Sequence, residues 1–269
     1  MNSSAVVQGI LTSGPVELPL PLRCVSDWHL GHPGSQIQSI SQVSHLLDGV
    51  GTFLVVGDGR EELVQGWRPQ ADRLWEELQE NCRQRGVKFL ALTGNHDPSC
   101  SSEGWLEIPS EQMLITHGDM IYPETSPWSR ELFNNREEVQ RILEKWDAKD
   151  LLTRWQQARE IGVCLRPDSS MNPDFLDYLK LAFWPPRRLL EALKVWGHFP
   201  RAGALFLSDF ASQCDSLICG HFHRGGCFHR AEKTIWNLGS LMKACRGYSI
   251  TFAPSQKSKR WLQKRIRLE

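Results

Sequence analysis

The chain carries no excess of charge of either sign: 31 Lys and Arg residues balance 31 Asp and Glu residues. A general nucleic-acid binder is usually basic overall, so the balance counts against that class, although local patches stay open. No C-x-x-C pair occurs among the eight cysteines, Cys24, Cys82, Cys100, Cys164, Cys214, Cys219, Cys227 and Cys245. Their spacing suggests no zinc knuckle, and reduced thiols in a cytoplasmic protein are expected. Long apolar runs are missing too. The longest, such as Phe53 to Val56, are far too short to span a bilayer. Met1-Asn2-Ser3-Ser4 shows no basic stretch leading into an apolar one, so no signal peptide is expected. Repeats and low-complexity tracts are absent from the 269 residues, a length that suits one large domain or one domain with an insertion. With 41% hydrophobic and 23% charged residues, neither a disordered nor a membrane class is indicated. Eleven Trp promise large apolar surfaces to bury.

What is present is a series of short apolar runs, each ending in a polar cluster. Leu22-Arg23-Cys24-Val25 leads into Ser26-Asp27-Trp28-His29, and Thr52 to Val56 into Gly57-Asp58. Val87 to Thr93 leads into Gly94-Asn95-His96-Asp97, Met113 to Thr116 into His117-Gly118-Asp119, and Ser216 to Cys219 into Gly220-His221-Phe222-His223. Runs of this length with β-branched content read as buried strands. In layered α/β folds ligands gather beyond the carboxyl ends of strands, and every polar cluster sits at such an end. Thr234 to Asn237, Tyr248 to Phe252 and Trp261 to Ile266 read as further strands completing a second sheet.

Helical signals separate the strands. Pro69 to Arg85 is one helix, with Leu74, Leu78 and Cys82 four apart and Gly86 as its stop. About a hundred residues lie between His117 and His221, more than one connecting helix needs. They carry an expected helix after Ser126-Pro127, one over Leu151 to Ile161, one after Asn172-Pro173 that ends at Pro185-Pro186, and a short one through Leu189 to Trp196. Residues 119–200 are therefore expected to form a helical cap inserted into a domain that spans 1–269. The last stretch of the cap, Leu179 to Arg201, mixes Lys180, Arg187, Arg188, Lys194 and Arg201 with Phe183, Trp184 and Trp196. A basic amphipathic segment of this kind can lie at a headgroup interface, so peripheral contact with a membrane surface is an expectation, set against simple packing of the cap on the sheets.

The polar clusters bring Asp27, His29, Asp58, Asn95, His117, His221 and His223 to five strand ends. Two divalent ions about 3.5–4 Å apart can clamp the attacking and leaving oxygens of a phosphoryl group, and such a pair needs a bridging carboxylate, several imidazoles and a place for water. Mixed oxygen and nitrogen donors suit Mn, Fe or Zn better than Ca, with Mn the first expectation. Each motif alone is a weak signal; five in order, each after a strand, are not. The set D-x-H, G-D, G-N-H-D, H and G-H-x-H resembles the calcineurin-like metallophosphoesterase superfamily. That resemblance implies an α/β fold, a four-layer αββα sandwich with a two-metal site. One ion would take Asp27, His29, Asp58 and His223; the other would take Asp58, Asn95, His117 and His221, with Asp58 bridging. It further implies that His96 protonates the leaving oxygen and that Asp97 tunes it.

Departures matter as well. The second motif often reads G-D-x-x-D, and here it is Gly57-Asp58-Gly59-Arg60-Glu61. The G-D-x-V-D-R-G of protein serine/threonine phosphatases is absent, which lowers the case for a phosphoprotein substrate. The helical cap resembles that of bacterial UDP-2,3-diacylglucosamine pyrophosphatases, which cleave a lipid-linked diphosphate, although their third motif often carries Arg where His96 stands. Arg60 is a candidate phosphate contact, because guanidinium matches phosphate oxygens in pairs; an ion pair with Glu61 or Glu62 is the competing reading. The expected activity is metal-dependent hydrolysis of a phosphoester or pyrophosphate bond in a phosphorylated small molecule or lipid-linked substrate. The alternatives are a nuclease of the same fold and a catalytically silent binding scaffold. All seven ligand positions and His96 hold suitable residues, which favours the hydrolase over a scaffold, and zero net charge counts against the nuclease.

Overall fold

A computed structural model of the chain describes residues 4–9, 16–122, 135–145, 149–165, 187–253 and 260–269. Twelve strands among these residues build two sheets. The five-stranded sheet has the order β12 (Arg260–Arg265), β11 (Tyr248–Ala253), β3 (Leu22–Val25), β4 (Thr52–Val56), β5 (Lys88–Leu92). The seven-stranded sheet runs β2 (Val16–Pro19), β1 (Ser4–Gly9), β6 (Trp105–Ile108), β7 (Met113–Thr116), β8 (Ser216–Cys219), β10 (Lys233–Asn237), β9 (Gly226–Arg230). Strands β3, β4 and β5 pair in parallel, as do β7, β8 and β10; the outer pairs are antiparallel.

Alternation along each strand sets the layers. All five residues of β4 are buried, but they serve two cores. Leu54 and Val56 meet Cys24, Ile115, Ile218 and Ile250 between the sheets, whereas Phe53 and Val55 pack outward against Leu74, Trp75 and Leu78. Those three belong to α1 (Arg68–Gln84), whose Leu74, Leu78 and Cys82 are buried as their spacing requires, with left-handed Gly86 (φ 67°) just beyond its end. On the other side Leu114, Leu217, Cys219 and Ile235 face Phe199, Phe206 and Leu207 of a long helix. The order of layers is helix, sheet, sheet, helix, as expected.

Between β7 and β8 the described helices are α2 (Arg136–Lys145), α3 (Leu151–Cys164) and α4 (Arg187–Phe210). The expected helix after Ser126-Pro127 is α2, in which Val139 and Ile142 are buried and Leu143 packs against them. Its first residues and Trp146, the expected helix after Asn172-Pro173 with Phe183 and Trp184, and the side chains of Arg187 and Arg188 fall outside the described residues. Leu190 and Leu193 on α4 are exposed, and no described helix is long and apolar enough to cross a membrane.

One expectation changes. The short helix through Trp196 is 24 residues long and continues past Pro200 to Phe210. Proline at position 200 has no N–H to give the carbonyl of Trp196, which would normally break the helix. Arg224 repairs the gap: its Nη1 donates to that carbonyl at 2.5 Å. Trp196 Nε1 in turn donates to the carbonyl of Phe222 at 2.7 Å, so α4 is bolted to the fifth motif. Arg224→Ala should cost about 1 kcal/mol, the worth of one hydrogen bond. Pro200→Ala in the same chain should recover part of the loss, because the new amide takes the carbonyl. A double-mutant cycle in urea checks this, and purely additive effects would contradict it.

Candidate metal centre

The five motifs meet at one end of the sandwich, beyond the carboxyl ends of β3, β4 and β5 in one sheet and of β7 and β8 in the other. Backbone bonds bring the loops together. Asp27 N–H donates to Gly57 O, His29 N–H to Asp58 O and Gly220 N–H to His117 O, at 3.2, 3.0 and 2.7 Å. The loops are also strained. Asp27, His29, Asp58, His221 and His223 all have φ between 46° and 66°, a left-handed region that costs a non-glycine residue free energy. These are five of the seven candidate ligands.

The seven residues fall into two overlapping groups. In the first, His223 Nε2 is 3.2 Å from Asp27 Oδ1 and 3.4 Å from His29 Nε2. In the second, Asn95 Oδ1 lies 3.1 Å from His117 Nε2 and 2.9 Å from His221 Nδ1. Asp58 Oδ2 stands between them, 3.8 Å from His29 Nε2 and 3.3 Å from His117 Nε2. Donors Asp27, His29 and His223, and again Asp27, Asp58 and His117, come within 4.8 Å of one another. His117 Nδ1 contacts the carbonyl of Val56 at 3.0 Å. Only a donated Nδ1–H makes that a bond, so Nε2 is the atom turned to Asp58: it carries a proton while the ring is charged and would offer its lone pair to an ion that replaced that proton.

The electrostatics call for added positive charge. Asp27, Asp58, His29 and His117 are all at most 2% exposed. Burial raises the Asp58 carboxyl, but His117 and His96 outweigh it and hold the group well below the carboxylate range. Burial disfavours charge on His117 too, yet Asp58 and Asp27 carry its pKa well above an ordinary histidine. His223 is pushed up to about 10 against burial, by Asp27 and the neighbouring Cys245 thiol. Burial, reinforced by His117, takes His221 down to about 3. Without a metal, protons on His117 and His223 are what neutralise the buried carboxylates. Divalent ions would supply the same charge and turn every inward nitrogen into a donor. His29 turns Nε2 to His223 and Asp58, while its buried Nδ1 has no hydrogen-bond partner and lies 3.9 Å from Glu61 Oε2. The donor set fits ions that accept mixed oxygen and nitrogen ligands.

His96 lies beside this cluster. Its backbone N–H donates to Asp58 Oδ1 at 2.8 Å, and its ring is 4.8 Å from that of His29. One of its ring nitrogens lies within 4.8 Å of donor atoms on both His29 and Asp58. Its Nδ1 is 3.0 Å from Glu61 Oε2. Burial opposes its charge, but Glu61 and Asp58 raise its pKa to about 9. The Glu that departs from the G-D-x-x-D pattern is thus the carboxylate that orients His96.

Asp97 takes partners other than those expected of it, and for Arg60 the competing reading, an ion pair with Glu62, is the one found. Asp97 does not meet the His96 ring; its carboxylate accepts the backbone N–H groups of Asp58, Gly59 and Gly94 at 2.9, 2.7 and 2.8 Å, tying the second loop to the third. Arg60 does not face the cluster with a spare guanidinium. It is paired with Glu62 at 2.5 Å and Asp72 at 2.9 Å and lies over Trp75. Ser26, Asn237 and Ser240 have roles that the sequence does not assign to them. Ser26 Oγ is 2.5 Å from Asp27 Oδ2, Ser240 Oγ donates to Asp27 O, and Asn237 Nδ2 donates to Gly220 O. Their only signal in the sequence is adjacency to Asp27 and to the end of β10.

Gly57 sets the fit between loops. Its φ is 72°, and a Cβ there would stand 2.4 Å from His117 Cγ. Gly57→Ala should cost about 1–3 kcal/mol in backbone strain alone and displace the His117 ring. Thermal unfolding and elemental analysis after Mn²⁺ loading check this. A folded variant with unchanged metal content would contradict the placement of His117.

Comparison with known proteins follows the same lines. A model of calcineurin-like phosphoesterases matches residues 20–225. No curated protein sequence gives a match. Vps29 from Entamoeba histolytica, crystallised with zinc, is 12% identical, covering 91% of this chain and 99% of its own, with a TM-score of 0.43. A dimetal phosphatase from Danio rerio is 12% identical over 91% of this chain and 96% of its own, with a TM-score of 0.47. Neither is a UDP-2,3-diacylglucosamine pyrophosphatase. With the family match spanning all five motif loops, the chain belongs to the calcineurin-like phosphoesterases.

Proposed function

We propose that the protein is a hydrolase of phosphoester or pyrophosphate bonds that works with two divalent ions. The observation that supports this reading most is the position of Asp58 Oδ2 between two donor groups, 3.8 Å from His29 Nε2 and 3.3 Å from His117 Nε2. Asp27, His29, Asp58 and His223 would hold one ion, and Asp58, Asn95, His117 and His221 the other. Bound there, the ions would acidify a water and neutralise phosphoryl oxygens. The chain's own contribution is placement. Asp97 and the backbone N–H of His96 fix the loop and carboxylate of Asp58, and Asp27 is held by Ser26 and by the N–H of His221. Glu61 holds His96 Nδ1, which leaves Nε2 as the ring atom that can pass a proton to the leaving oxygen. Mn is the expected ion, with Fe and Zn as the other fits.

A panel of p-nitrophenyl phosphate, bis-p-nitrophenyl phosphate and a nucleoside diphosphate, assayed with Mn²⁺ and after chelation, should show metal-dependent turnover of at least one. His96→Ala should keep both ions and the fold while turnover drops by roughly 10²–10⁴, the range for losing a general acid. The loss should shrink for p-nitrophenol as leaving group and grow for an alkyl alcohol. Equal losses for both would remove the acid role, and loss of metal would make His96 a ligand.

A further inference from the structure

Helix α3 lays one stripe along the third motif. Trp155, Arg159 and Gly162 share a face at i, i+4 and i+7. Trp155 Nε1 donates to Thr93 Oγ1 at 3.1 Å and Arg159 Nη2 to the carbonyl of Pro98 at 3.2 Å. A Cβ on Gly162 would stand 4.0 Å from that of Asn95. The stripe therefore follows the loop that carries Asn95 and His96.

Arg159 differs from the other arginines near the centre. Arg60 is neutralised by Glu62 and Asp72, Arg154 bonds the carbonyl of Met120 and Gln157, and Arg224 fills the helical gap at Trp196. The Arg159 guanidinium is exposed, sits 4.7 Å over the Trp155 ring and has no carboxylate partner among the described residues. One of its five N–H groups meets Pro98. An indole face holds such a planar cation in place while leaving its edge for an oxyanion.

We propose that Arg159 is a substrate-binding residue that takes a second phosphate of the substrate, next to the phosphoryl group that reacts, with Trp155 as its platform. This rests on the hydrolase reading above and narrows it to substrates bearing neighbouring phosphates, such as diphosphates, over lone monoesters. Paired N–H···O bonds from one guanidinium give that preference both strength and direction. Pinning α3 to the Pro98 carbonyl is the competing task for the same side chain.

The test is calorimetric binding of methylenebisphosphonate and of methylphosphonate to the Mn²⁺-loaded protein at constant free Mn²⁺, with p-nitrophenyl phosphate turnover measured alongside. Arg159→Met should weaken the bisphosphonate about tenfold, the worth of one charged hydrogen bond, and leave the monophosphonate within about twofold. Arg159→Lys should restore part of the loss, and melting temperature and metal content should stay at wild-type values. Unchanged bisphosphonate affinity in Arg159→Met would overturn the inference. Equal weakening of both compounds would overturn it too and assign Arg159 to holding the helix. If the wild type turns over p-nitrophenyl phosphate and either result appears, only this inference fails. If the wild type binds neither compound and cleaves nothing, the hydrolase reading fails with it.

Discussion

Two buried carboxylates, Asp27 and Asp58, set the terms for the whole end of the sandwich. A carboxylate taken out of water is costly unless donors and positive charge surround it. Backbone amides supply part of what is needed: His221 N–H reaches Asp27 and His96 N–H reaches Asp58. Imidazoles from both sheets supply the rest. To aim all of these inward the chain accepts left-handed backbone at five ligand positions, which persists only because the surrounding loops over-determine it. Asp97, holding four amides of the second and third loops, is the fastener that makes this possible. It does so although burial and the nearby Asp58 raise its own pKa to about 7.

Much of this was legible in the sequence, for a physical reason. Strands β3, β4, β5, β7 and β8 are short apolar runs whose side chains fill cores on both faces, so each ends abruptly where polar chemistry begins. The same runs announced both the sheets and the polar clusters that meet at their ends. What stayed hidden depends on direction rather than spacing. Nothing in Gly94-Asn95-His96-Asp97 says that Asp97 turns toward backbone amides while Glu61, 35 positions away from His96, turns toward its ring. The pairing of Arg60 with Glu62 was one of the two readings open in the sequence, whereas its second partner Asp72, on α1, is twelve residues further along and carries no local signal. The length of α4 was masked by Pro200, since the group that satisfies Trp196 comes from beyond β8.

The helices that follow β7 bear on the centre through two indoles. Trp155 on α3 is tied to Thr93 at the third motif, and Trp196 on α4 to Phe222 in the fifth. Phe222 also stacks on Phe199 of α4, with ring centroids 4.5 Å apart. Both helices are thus fastened to the candidate ligand loops. Two of the eleven Trp therefore stand at the join between the sheets and the helices outside them.

The central claim is that the buried carboxylates are neutralised by a pair of ions that share Asp58. Anomalous diffraction at the manganese edge from crystals of the Mn²⁺-loaded protein tests it most directly. The account predicts two peaks about 3.5–4 Å apart with the Asp58 carboxylate between them, one beside Asp27, His29 and His223 and one beside Asn95, His117 and His221. A single peak at full loading, or two peaks that do not share Asp58, would contradict it.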